Sequence, residues 1–99
     1  MTFVKVASVG DVDEGAGKTV MANGQPVALF KTGGKFYAID NTCAHRGGPL
    51  GEGMLDGNVV TCPLHGWRYD ITNGKCLTLP MNIKYFTVKV EGNDILIDV

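Results

Sequence analysis

The chain has 99 residues, a formal net charge of -1 and no basic stretch that would meet nucleic acid. Its length sets an expectation of one domain, 1–99, with a modest core. No run approaches the ~18 apolar residues of a membrane span, and the start, MTFVKVASVGDVDEG, lacks the apolar stretch of a secretory leader. With only three cysteines, the expectation is a cytoplasmic protein in a reducing compartment, without nucleic-acid or membrane partners.

Short β-prone runs succeed one another along the chain. They are Phe3 to Val6, Lys18 to Ala22, Val27 to Lys31, Phe36 to Asp40, Asn58 to Thr61, Lys84 to Val90 and Ile95 to Val99. Turn pairs separate them: Asn23-Gly24, Gly33-Gly34, Asp56-Gly57, Asn73-Gly74 and Gly92-Asn93. Such pairs supply the positive φ of tight hairpins. YFTVKV and DILIDV alternate with the period of half-buried strands. No amphipathic helix of three turns is evident, and GDVDEGAGK reads as a flexible acidic loop. The expected fold is all-β, an antiparallel sandwich or barrel.

Two boxes interrupt this pattern. CAHRGGPL, 43–50, places Cys43 two residues before His45. CPLHGWR, 62–68, places Cys62 three residues before His65. Both histidines and two of the three cysteines therefore sit in two Gly- and Pro-rich strand breaks. Two thiolates and two imidazoles suit either zinc or an iron–sulfur cluster. Structural zinc knuckles usually pair like with like, whereas each box here carries one of each.

At these boxes the sequence resembles the Rieske family. The resemblance rests on Cys43, His45, Cys62 and His65, on HRGGPL, CPLHGW and YD, on the preceding FYAIDN, and on the later TNGK and Pro80. It covers the chain from about Val27 onward. It implies a Rieske-like fold with cluster-binding loops at 43–50 and 62–68, and one 2Fe–2S cluster. Cys43 and Cys62 would hold one iron and His45 and His65 the other. It also implies that Tyr69 donates its hydroxyl to a cysteine sulfur. Trp67 is expected to pack beneath the cluster loop, and Cys76 to be a half-buried strand residue. Arg46 and Arg68, the only arginines, are candidates for partner docking.

Within the family, respiratory members carry a disulfide at the positions of Gly48 and Leu64, a serine where Trp67 stands, and a membrane anchor. Ring-hydroxylating oxygenases need a further iron site, and no histidine remains to build one. The resemblance therefore implies an electron carrier rather than an enzyme. It would pass electrons from a flavoprotein reductase to a terminal oxygenase. Both would dock transiently near His45 and His65, on a rim of Pro49, Leu50, Pro63 and Leu64. Two alternatives stay open: the small Rieske-like subunit of an assimilatory nitrite reductase, and a structural zinc module.

Overall fold

The computed structural model describes residues 2–42, 49–64, 66–78 and 81–98. Eleven strands form three sheets among these residues, and every pairing is antiparallel. One outer sheet runs β1 (Phe3–Ser8), β11 (Asp94–Asp98), β10 (Val88–Glu91). The middle sheet runs β2 (Ala16–Ala22), β3 (Gln25–Thr32), β4 (Lys35–Asp40), β9 (Tyr85–Phe86). The second outer sheet runs β5 (Met54–Asp56), β6 (Val59–Thr61), β7 (Arg68–Asp70), β8 (Lys75–Cys76). Short 3-10 turns occupy Val9–Asp11 and Leu50–Glu52. The all-β, antiparallel expectation holds, with the three sheets in layers around two cores.

The middle layer follows from the sequence of β3. Val27, Ala28, Leu29 and Phe30 are all buried. A strand covered on one face would alternate; four buried residues in a row mean that both faces are covered. Val27 and Leu29 join Val20, Ala22, Ala38, Phe86, Ile95 and Ile97 in one core. Ala28 and Phe30 join Ile39, Leu50, Val60, Cys62, Tyr69, Ile71 and Cys76 in the other. Burying a side chain the size of Leu29 or Ile39 contributes about 1.5–3 kcal/mol. A polar residue at either position would therefore open one of the cores.

The hairpins turn where the sequence marks them. Asn23 at φ 53° and Gly24 at φ 85° form the two-residue turn between β2 and β3. Two successive positive φ values match the right-handed twist of the flanking strands.

Two expectations are corrected. The run from Lys84 to Val90 is two strands, because Thr87 carries the chain from one sheet to the next. Phe86 pairs with Ala38 of β4, whereas Val88 pairs with Ile97 of β11. Alternation alone does not reveal which neighbour a strand pairs with. The acidic segment is also tied down. Glu14 accepts the N–H groups of Gly33 and Gly34 at 2.7 and 3.0 Å, and Gly15 N–H donates to the Lys31 carbonyl at 2.7 Å. The carboxylate thus braces the β3–β4 turn.

Candidate metal centre

The first box hangs from a closed neck. At the end of β4, the Asp40 carboxylate accepts Thr42 N–H at 3.0 Å. Thr42 pairs with Pro49 as an isolated bridge. Leu50 N–H donates to the Asn41 carbonyl and Gly51 N–H to Asn41 Oδ1, each at 2.8 Å. Leu50 is fully buried and anchors the far side in the second core. Cys43, His45, Arg46, Gly47 and Gly48 lie outside the described residues.

The second box is the loop of a hairpin. Thr61 of β6 faces Arg68 of β7. Cys62 N–H donates to the Trp67 carbonyl at 2.7 Å, and Gly66 N–H donates back to the Cys62 carbonyl at 3.1 Å. Gly66 adopts φ 75°, a conformation that disfavours a side chain. Cys62 is 2% exposed and carries a free thiol. Its neighbours Pro63 and Leu64 face solvent. His65 lies outside the described residues. Of the four ligand candidates, Cys62 is therefore the one whose surroundings the structure describes.

The roots of the two boxes adjoin, although the loops leave different sheets. A Cβ at Gly53, just past the Leu50–Glu52 turn, would overlap the Thr61 carbonyl and approach Val60 Cγ2 to 3.0 Å. Only a bare backbone fits there. Leu50, Val60, Cys62 and Tyr69 share one buried cluster, with Trp67 half-buried against it. Trp67 thus packs against the second core at the loop root.

Other site residues sort clearly. Leu50 is core and forms no part of a docking rim; the 3-10 turn directs it inward. Cys76 lies opposite Tyr69 on the β7–β8 ladder and is buried, more deeply than the sequence suggested. Arg68 is exposed, and Pro80 lies outside the described residues. Leu77, 47% exposed, went unnoticed in the sequence. Its N–H donates to the Arg68 carbonyl at 2.8 Å, which sets it next to the second loop. Met81, also exposed, follows through the Cys76 N–H, which donates to the Met81 carbonyl at 2.8 Å. No local motif marks these two, because single backbone hydrogen bonds outside the strands set their places. Among the described residues, no helix is long and apolar enough to cross a membrane.

Comparison with known proteins adds to this geometry. The chain matches the family model of the Rieske [2Fe-2S] domain over residues 2–96. It is 35% identical over 98 residues to the ferredoxin component of the naphthalene 1,2-dioxygenase system of Pseudomonas aeruginosa, covering 97% of this chain and 94% of that protein. Among solved structures, it is similar to the ferredoxin of carbazole 1,9a-dioxygenase from Nocardioides aromaticivorans IC177. That match has a TM-score of 0.91 at 29% identity and covers 98% of this chain and 97% of the other. It is also similar to a chain in a complex of reduced oxygenase and oxidized ferredoxin of carbazole 1,9a-dioxygenase. There the TM-score is 0.87 at 32% identity, covering 96% of this chain and 91% of that one.

Proposed function

The chain belongs to the Rieske [2Fe-2S] domain family, and from that premise we propose that it is a one-electron carrier between a flavoprotein reductase and a ring-hydroxylating oxygenase. The cofactor is a Rieske-type 2Fe–2S cluster, which sets aside the zinc alternative. The observation that carries the proposal is end-to-end similarity to a ferredoxin component, 97% of one chain against 94% of the other. A nitrite reductase subunit is not favoured by such a relative.

Cys43, His45, Cys62 and His65 are the proposed ligands, in a single domain spanning 1–99. The described part of the site fits the group. Cys62 offers a buried thiol in a loop closed by backbone N–H groups rather than bulky side chains. As a ligand, Cys62 would have its sulfur shielded from water by this burial, and backbone amides near sulfur would tune the potential. The cluster stores and releases one electron. The protein's part is to hold the ligands, exclude solvent and offer a docking face.

That face is proposed around His45 and His65, with exposed Pro63 and Leu64, and exposed Leu77, whose N–H bonds the Arg68 carbonyl, would extend it. An apolar rim of this kind gives the small, weak interface that turnover requires. Arg68 would add charge selection at its edge. The cytoplasm is the proposed compartment, where a free thiol such as that of Cys76 stays reduced.

The test is electron delivery. Cluster-loaded protein, reduced and freed of excess reductant, is mixed with a purified ring-hydroxylating oxygenase, its aromatic substrate and oxygen. Oxidation of the carrier coupled to product formation is expected, with no product when the oxygenase is left out. Product formed by this protein alone would contradict the carrier reading.

A further inference from the structure

We propose that Asn41 is a positioning residue for the first cluster loop. Its side-chain carbonyl fixes the neck that holds Cys43 and His45, and so governs how firmly the cluster is kept. The inference rests on the ligand set proposed above.

Asn41 is the buried polar residue of the described chain, 8% exposed. Burying an amide is costly unless its polar atoms are bonded, and an apolar residue would fill the same space without that penalty. Here Oδ1 accepts two bonds from separate elements. One comes from Gly51 N–H at 2.8 Å, beyond the loop; the other comes from the Thr19 hydroxyl at 3.1 Å, on β2. The Asn41 main-chain carbonyl accepts Leu50 N–H at 2.8 Å. One residue thus joins both ends of the loop and pins them to the middle sheet.

The fit around it is tight. A Cβ at Gly51 would stand 2.5 Å from Thr19 Oγ1, 2.7 Å from Thr19 N and 2.9 Å from the Lys18 carbonyl carbon. A Cβ at Gly17 would run into the Phe30 ring and lie 3.1 Å from the Gly51 carbonyl oxygen. Two side-chain-free positions therefore let β2 press directly on the Leu50–Glu52 turn. Beyond the Thr42–Pro49 bridge only residues 43–48 remain. The proposed ligands stand one and three residues past Thr42. Both proposed ligands, one for each iron, therefore fall in sequence within the stretch that the neck closes.

Groups that orient metal ligands without touching the metal change metal retention when removed, commonly by tenfold or more. The same is expected here. Asn41→Ala removes the acceptor for Gly51 N–H and for the Thr19 hydroxyl. Asn41→Asp keeps an acceptor oxygen in place. Thr19→Val removes one of the two bonds and leaves β2 intact.

The experiment measures release of iron from cluster-loaded protein to a chelator, with the paramagnetic resonance spectrum of the reduced state. Ile97→Val serves as the comparison, because it weakens the opposite core without touching the neck. Asn41→Ala should release iron roughly tenfold faster or more and show a broadened spectrum. Thr19→Val should fall between it and the parent, and Asn41→Asp should restore slow release. Ile97→Val should match the parent. If Asn41→Ala does not fold, Thr19→Val decides the matter. Parent-like release and spectra in Thr19→Val and any folded Asn41→Ala would overturn the proposal. So would equal acceleration in Ile97→Val, which marks a global effect. A parent protein that takes up no cluster would overturn the ligand set itself.

Discussion

Cys62 N–H donates to the Trp67 carbonyl at 2.7 Å, so the loop carrying the second box is closed at its own cysteine. Closure depends on Gly66, whose N–H bonds the Cys62 carbonyl while its φ is 75°. A Cβ at Gly66 would meet nothing within 4 Å, so sterics with neighbours are not the obstacle. The cost is the left-handed backbone alone. Gly66→Ala should lower stability by about 1–2 kcal/mol, read from urea denaturation. A loss beyond about 3 kcal/mol would mean that this position is packed rather than merely turned.

The sheets should survive loss of the cluster. The first core, built from Val20, Val27, Leu29, Phe86, Ile95 and Ile97, contains no residue of either box. Cys43→Ser is therefore expected to abolish cluster binding and loosen 43–50 and 62–68 while the β-sheet remains. Metal binding and folding are strongly coupled in many small metal domains. A far-ultraviolet circular dichroism spectrum of a fully unfolded chain in Cys43→Ser would place this protein among them and contradict the expectation.

Cys76 faces Tyr69 across the β7–β8 ladder and is 4% exposed. Its surroundings are those of a small core residue. Cys76→Ala should keep full iron and sulfide content and lose about 1 kcal/mol of stability, since a buried sulfur leaves a small void. Iron content halved in this variant would make Cys76 a ligand.

The strands were legible where burial is one-sided or complete over four residues, as in DILIDV and VALF. The hairpins were legible because Asn-Gly and Gly-Gly pairs carry their own backbone preference. The break at Thr87 was not, since sheet exchange depends on which partner strand is near. Met54–Asp56 and Lys75–Cys76 were missed because strands this short carry no periodicity. At the site, residue types and spacing disclosed the two boxes, and with them Cys62. The bonds of Asn41 were hidden, because Thr19 and Gly51 reach it from distant parts of the chain. Leu50 misled for a similar reason. An apolar residue beside a loop reads equally as rim or anchor, and only the fold shows it buried.

The central claim, a Rieske carrier poised to take electrons from a flavin, is tested most directly by the midpoint potential of the cluster-loaded protein at neutral pH. Two ferric ions, two sulfides and two thiolates sum to no net charge, whereas four thiolates would leave the centre negative. Neutral imidazoles therefore raise the potential above that of an all-cysteine cluster. Within the Rieske range, Gly48 and Leu64 rule out the loop-stiffening disulfide, and Trp67 offers no hydroxyl where respiratory members have serine. The expected midpoint lies between roughly -150 and 0 mV, by film voltammetry. A value above about +150 mV would contradict the account, because such a centre would hold its electron too tightly for an oxygenase to draw it off.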